Sequence, residues 1–334
     1  MKKQISILLF SFLAVSFLFS PVVNASGLDT TYVEDGGYIL LSSDSKIRTN
    51  FCHTINPDAD IFDDDFWGYP GITFSSPFPD FQDTDSVALV AHRFARKILN
   101  HFQNYFNRNS FDDKGAQLIS ILNCASRGNG NATWTGNYIA FGGGTEATPM
   151  GAAAAIDVYA HEFTHAIISH TANFDSSAES GALNEGFSDV MGIFAKCKIT
   201  PANCNYLFGE NLGLEGRPLR NLKDPASLGG RDYYFPDLFK GNNGARSHDG
   251  AGIVGLAYYL LSEGGIHPRQ PNIRMVGIGQ EVAAQIFFKT FTIHLKPNSN
   301  FHDVRIAMIE VAKDYGSNAV ESVKAVWDLV GVRD

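Results

Sequence analysis

From Thr84 onward, Val87, Val90, Ala91, Phe94, Ile98, Phe102 and Phe106 recur at three- and four-residue steps, the spacing of one face of a helix. Arg93, Arg96, Lys97 and Arg108 fall on other positions, so the pattern predicts a long amphipathic helix with a wet basic face, capped by Asp83 or Thr84. Before it, short apolar runs such as Tyr38 to Leu41 and Ile72 to Phe74 are bounded by turn residues and read as strands. After it, Gln117 to Leu122 and the alternating stretch Ala132 to Phe141 are strand-like. Gly142-Gly143-Gly144 closes that region, and no Lys-Ser/Thr follows to make it a phosphate loop. Beyond Pro149 the helical period dominates. Helices are predicted over about 152–170, 183–196, 250–262, 279–294, 301–315 and 319–330, with an irregular stretch rich in Gly, Asn, Asp and Pro at 209–249. There is no internal repeat and no long linker. The architecture expected is α+β: a β-rich N-terminal lobe over 26–150, an α-helical C-terminal lobe over 151–334, and a cleft between them.

The first helix of the second lobe carries candidate chemistry. His161-Glu162-Phe163-Thr164-His165 sits in an otherwise apolar run. Residues four apart share a helix face, so both imidazoles project together and suit one zinc ion, with Glu162 beside them as general base. A catalytic zinc needs a third protein ligand, and one far along the same helix would rise out of reach. Glu185 is the candidate, following the small residues Ser180-Gly181-Ala182, which read as a turn opening the next helix. Asp189, four residues on, is placed to accept the free N–H of a ligating histidine.

Composition narrows the class. The chain has 334 residues, 44% hydrophobic and 18% charged, an ordinary globular balance. The formal net charge is -9, with no Lys/Arg cluster, which argues against nucleic acid or an anionic membrane as partner. Residues 1–25 read as a secretory signal: Lys2 and Lys3, an apolar run from Ile5 to Phe19, and small residues before a cut after Ala25. The alternative, a membrane anchor, meets a short run that ends at Pro21. No other stretch is apolar enough to span a bilayer, so a secreted chain without a membrane partner is expected. Cys52, Cys124, Cys197 and Cys204 allow three disulfide connectivities or four free thiols. Cys197–Cys204 closes a short loop and leaves Cys52–Cys124. Asp58, Asp60, Asp63, Asp64 and Asp65 lack the EF-hand spacing and glycine and read as a solvated acidic loop.

His161-Glu162-x-x-His165 followed by Asn184-Glu185-x-x-x-Asp189 resembles the zinc signature of the thermolysin family of secreted neutral metalloendopeptidases. The resemblance runs over nearly all of the chain after the signal. Asn131-Ala132-Thr133-Trp134 resembles that family's substrate-binding edge strand, which implies that Asn131 and Ala132 hold a peptide backbone. Arg220, in Leu219-Arg220-Asn221-Leu222, resembles its arginine for the substrate carbonyl, and His248, in Ser247-His248-Asp249-Gly250, its second catalytic histidine. Gly277-Ile278-Gly279 and the stretch around Asp328 and Val330-Gly331-Val332 also match. The resemblance implies a two-lobed fold with one catalytic zinc in the cleft. It implies a monomer acting on protein or peptide substrates at apolar residues on the amine side, in a pocket made apolar by Val158 and Leu219.

Departures from the family pattern bear on activity. Its oxyanion tyrosine falls on Ser176, and the acidic partner of its second histidine falls on Asn243. Asp157 matches a calcium ligand, but a glutamate sharing that calcium is replaced by Lys196. A lysine ammonium paired with Asp157 can stand in for the cation, so the double-calcium site is expected to be reduced or absent. The catalytic half starts almost directly after Ala25, where the family carries a long pro-region. Two rivals stay open: a degenerate member that binds zinc or peptide without turnover, and an adhesion or export protein with a closed structural zinc.

Overall fold

The computed structural model describes residues 22–23, 29–34, 37–42, 46–51, 86–122, 124, 130–144, 151–175, 178–210, 212, 216–240 and 247–333. The cap at Asp83 or Thr84, the strand at Ile72 to Phe74, the acidic loop around Asp63, and Cys52, Ser176 and Asn243 lie outside these residues. So does nearly all of the predicted signal.

One seven-stranded sheet forms the first lobe. Its strands are β1 (Val22–Val23), β2 (Asp29–Glu34), β3 (Gly37–Ser42), β4 (Ile47–Phe51), β5 (Leu118–Leu122), β6 (Ala132–Trp134) and β7 (Ile139–Phe141). Their order across the sheet is β1-β2-β3-β4-β5-β7-β6. The first four strands pair antiparallel. β1 belongs to the stretch expected to be cleaved, and its two valines pair with Thr30 and Thr31. β4 runs parallel to β5, and β5 to β7. A parallel pair cannot be closed by a tight turn, and the crossover from β4 to β5 contains helix α1 (Ser86–Phe106). Its apolar face, predicted from the 3.6 period, buries Ala91, Ala95, Ile98, Leu99 and Phe102. The alternating stretch Ala132 to Phe141 is two strands rather than one. Thr135 N–H donates to the Tyr138 carbonyl and folds it into a β6–β7 hairpin, a turn that polar/apolar alternation does not reveal.

The second lobe is helical. A turn of 3-10 helix at Ala152–Ala154 leads into α2 (Ile156–Ser169). The remaining α-helices are α3 (Ala178–Ile199), α4 (Ser247–Glu263), α5 (Gln280–Lys289), α6 (Phe301–Ala312) and α7 (Ser317–Leu329). A π-helical turn, Thr290–His294, extends α5, and a capping box between Asn300 and Asp303 starts α6. Two short antiparallel pairs complete the lobe: β8 (Leu207–Phe208) with β9 (Arg220–Asn221), and β10 (Gly264–Ile266) with β11 (Arg274–Val276). Among the described residues no helix is long and apolar enough to cross a membrane.

α2 is the hub. Twelve of its fourteen residues are buried, and Tyr159 bonds Ser120 of β5, tying helix to sheet. α3 packs between α2 and α4. Two glycines allow that: a Cβ on Gly192 would lie 2.6 Å from the Asp157 carbonyl of α2, and one on Gly186 would lie 2.5 Å from Val254 Cβ of α4. α3 also starts earlier than its small residues suggest. Ser180, Gly181 and Ala182 lie inside the helix rather than in a turn, because small side chains there let α4 approach. Cys197 and Cys204 form the local disulfide, with a Cα–Cα separation of 4.3 Å. Cys124 is also disulfide-bonded.

Candidate active site

A cleft of about 480 Å³ runs between the β6 edge of the sheet, unpaired among the described residues, and helices α2 to α4. His161 and His165 face it from α2 and Glu185 from α3. His161 Nε2 lies 2.9 Å from His165 Nε2 and 3.4 Å from Glu185 Oε2, and His165 Nε2 lies 3.7 Å from Glu185 Oε1. Among the described residues these three form the one group of His, Cys, Asp and Glu side chains whose ligand atoms converge.

The tautomers are set from behind. His161 Nδ1 lies 2.9 Å from Asp189 Oδ1, and His165 Nδ1 lies 2.9 Å from Asn184 Oδ1. Both oxygens only accept, so Nδ1 is the nitrogen of each ring that keeps a proton and Nε2 the one that can give its site to a metal. With the Glu185 carboxylate, the two Nε2 atoms make the donor set that zinc takes. The partners of the two histidines come from adjacent rows of α3. Glu185 and Asp189 form one i, i+4 row, and Asn184 and Ser188 the next, Ser188 Oγ lying 3.1 Å from His165 Nδ1. The four-residue spacing points to the first row from the sequence alone; Asn184 and Ser188 have the same spacing one residue earlier and are not among the sequence-predicted site residues.

The electrostatics favour positive charge at this point. Burial alone would lower the His161 pKa, but the carboxylates of Asp189 and Glu185 beside the ring overcome it and raise it to about 9. Burial would raise Glu185, yet its bond to His161 and the charges of His165 and His248 hold it well below the usual carboxylate range. Burial, with the charge of His161, lowers His165. Asp189, although buried, is held down chiefly by Arg220.

Arg220 grips Asp189 with Nε at 2.5 Å and Nη2 at 2.6 Å. Its guanidinium lies over the Phe208 ring, 4.4 Å from the centroid, and that ring also sits 5.0 Å from His161. Arg220 thus lines the cleft, but its first partner is the carboxylate behind His161, a contact that sequence spacing does not expose. His248 is in the first turn of α4 rather than in a loop. It is 65% exposed, and its Nε2 lies 3.2 Å from Glu185 Oε2. Phe208 had no signal in the sequence beyond being apolar.

Glu162 also faces the cleft, and its Oε2 accepts from the Trp134 N–H at 2.7 Å. This bond defines the edge of β6. Gly142 N–H donates to the Asn131 carbonyl, and Thr133 pairs with Ala140. Backbone groups alternate sides along a strand, so those of Ala132 and Trp134 point away from β7 toward the cleft. Of the two predicted strand residues, Ala132 offers its main chain there. The main-chain carbonyl of Asn131 is spent on β7, although the residue lines the cleft. Val158, Phe208 and Leu219 are among the apolar residues of the lining, with Trp134, Ile168 and Phe174. Asp157 is not among the residues lining the cleft and pairs with Lys196 Nζ at 3.5 Å.

Residues 22–169 match the family model of the thermolysin metallopeptidase catalytic domain, and residues 172–332 that of its alpha-helical domain. A bacillolysin of Brevibacillus brevis is 38% identical over 256 residues, 75% of this chain and 47% of the relative. A thermolysin of Alicyclobacillus acidocaldarius subsp. acidocaldarius is 31% identical over 311 residues, 91% of this chain and 55% of the relative. The chain therefore spans about half the length of the curated relatives it matches. Among solved structures, the precursor of protealysin, a metalloproteinase from Serratia proteamaculans, matches with a TM-score of 0.64 at 23% identity and 86% coverage of each chain, a likeness of fold.

Proposed function

The chain belongs to the thermolysin metallopeptidase family, and from the arrangement of its cleft we propose that it is a secreted zinc-dependent endopeptidase. The observation that carries this reading is one opening shared by three converging ligands, a carboxylate and a free strand edge. His161, His165 and Glu185 hold the metal. Structural zinc sites are closed by four protein ligands, whereas catalytic ones use three; among the described residues no fourth ligand joins the three. His248 approaches Glu185 but is not part of the converging group.

Bound there, zinc supplies a Lewis acid that polarises the scissile carbonyl and acidifies water. The residues do the rest. The substrate backbone lies along β6 as an added strand, pairing with Ala132 and flanked by the Asn131 side chain. Val158, Phe208 and Leu219 take an apolar side chain on the amine side of the scissile bond. Glu162, steadied by the Trp134 N–H, takes the proton of the attacking water as its oxygen bonds the carbonyl carbon. It then passes that proton to the amine nitrogen as the carbon–nitrogen bond breaks. His248 donates to the developing oxyanion, a contribution typically of about 3–4 kcal/mol. Arg220, already paired with Asp189, holds a substrate carbonyl through its remaining N–H groups. Asp189 positions His161. The protein acts as a monomer after losing residues 1–25, with one zinc and without calcium at Asp157.

Casein hydrolysis by the purified zinc-loaded chain tests the proposal. Glu162→Ala is expected to abolish cleavage while one equivalent of zinc is retained. Zinc bound in both proteins, with no peptide cleaved by either, would instead identify a member that binds without turnover.

A further inference from the structure

The residues around Asp157 include a buried cation that the proposed chemistry does not use. Lys196, in the last turn of α3, is 5% exposed. Its Nζ lies 2.6 Å from Glu210 Oε2, 2.9 Å from the Leu207 carbonyl, 3.0 Å from Asn205 Oδ1 and 3.5 Å from Asp157 Oδ2. An ammonium has three protons, and the three shorter contacts take them all. Asp157 faces the same charge and is held in turn by the N–H groups of Gly209 and Val158.

Two carboxylates, an amide oxygen and a main-chain carbonyl are the donors a hard divalent cation takes, at 2.3–2.6 Å for calcium. Here their common centre is filled by nitrogen. A divalent ion and Nζ cannot share it, both for space and because two cations would face each other in a buried site. These residues therefore do not fit calcium as they stand. Position gives the cage its consequence. Asp157 precedes His161 by one helical turn on the same face of α2, Lys196 ends the helix that carries Glu185 and Asp189, and the 205–210 segment carries Phe208 against His161 and Arg220. The cage joins all three elements behind the zinc ligands.

We propose that the Lys196 ammonium is the resident cation of an oxygen cage of divalent type, so that the junction of α2, α3 and the 205–210 segment is held without calcium, and that removing the ammonium opens a calcium site there. The proposal is independent of whether the cleft turns over peptides.

The test uses the full mature chain, zinc-loaded in calcium-depleted buffer, and reads melting temperature and calcium binding by calorimetric titration. Lys196→Ser is expected to melt roughly 5–10 °C below wild type, as loss of one partner of a buried ion pair predicts. Added calcium restores most of that loss, and titration shows one site more than in wild type. Both effects disappear in Lys196→Ser/Asp157→Asn. In an otherwise wild-type chain, Asp157→Asn leaves the calcium titration unchanged. Glu210→Gln keeps the ammonium and removes the charge from its shortest contact; it is expected to lower the melting temperature without calcium restoring it. A Lys196→Ser protein that folds only with calcium supports the proposal. It is overturned if Lys196→Ser melts with wild type, if calcium fails to rescue it, if it folds in neither buffer, or if a wild-type calcium site is lost in Asp157→Asn.

Discussion

Asp189→Asn isolates the contact behind His161, the first of the proposed zinc ligands. The carboxylate is buried and serves two donors at once: His161 Nδ1 at 2.9 Å, and Arg220 Nε and Nη2 at 2.5 and 2.6 Å. Asparagine keeps the shape but has one oxygen and two N–H donors. If the oxygen faces His161, the amide N–H groups point at a guanidinium that can only donate, and Arg220 loses the opposite charge that holds it. If the oxygen faces Arg220, the amide donates to His161 Nδ1, and the imidazole proton moves to Nε2, where it blocks the metal. Either orientation weakens zinc binding or destabilises the guanidinium. Substitutions of such supporting partners typically cost about 10–100-fold in metal affinity, equivalent to about 1.4–2.7 kcal/mol. The assay is competition for zinc against a chelating dye at neutral pH, with folding followed by far-UV circular dichroism. Arg220→Gln serves as the control. It leaves Asp189 free to hold His161, so zinc affinity stays within a few-fold of wild type while KM for peptide rises. Asp189→Asn binding zinc within about two-fold of wild type would refute the reasoning, since the tautomer would then be set by something else.

Two further predictions concern the fold around the site. Burial, aided by Lys198, lowers the pKa of His101 from 6.5 to about 4. Above 6.5 both folded and unfolded chains hold this ring neutral; between 6.5 and 4 only the unfolded chain takes the proton, so stability falls with falling pH across that window, by at most about 3 kcal/mol. His101→Phe should flatten that part of the profile in urea melts, and an unchanged slope would count against it. Gly186→Ala places a methyl 2.5 Å from Val254 Cβ; overpacking of this kind costs about 1–3 kcal/mol, offset in part by the roughly 0.5–1 kcal/mol that alanine gains over glycine in a helix. Val254→Gly, itself destabilising at this buried helical position, should combine with Gly186→Ala for less than the sum of the two losses in chemical denaturation, whereas simple additivity would contradict the contact.

What was legible in the chain follows from where each constraint is local. His161 with His165, and Glu185 with Asp189, were legible because a helix converts a four-residue spacing into a shared face, and nothing beyond the helix is needed for that step. The Cys197–Cys204 bridge was legible for a similar reason, a short loop, whereas the pairing of Asp157 with Lys196 was expected only from the family resemblance, as a charge replacing a charge. Helix α3 shows the limit. Ser180-Gly181-Ala182 has the composition of a turn, and only the presence of α4 against it makes small residues the requirement of a helix–helix contact instead. The same limit hides the grip of Arg220 on Asp189. Both residues were singled out, one for substrate and one for a ligating histidine, but the side chain that reaches the carboxylate comes from β9 while the carboxylate sits on α3, and no periodicity relates the two. The strand edge is an intermediate case. Alternation marked residues 132 to 141 as extended, yet which backbone groups face the cleft depends on the hairpin register, and one residue of slip would have presented Thr133 in place of Ala132. The donor from Trp134 to Glu162 fixes that choice. It ties the proposed substrate edge to the proposed general base in a single contact, so a change in the β6 register would disturb the strand edge and the position of Glu162 together.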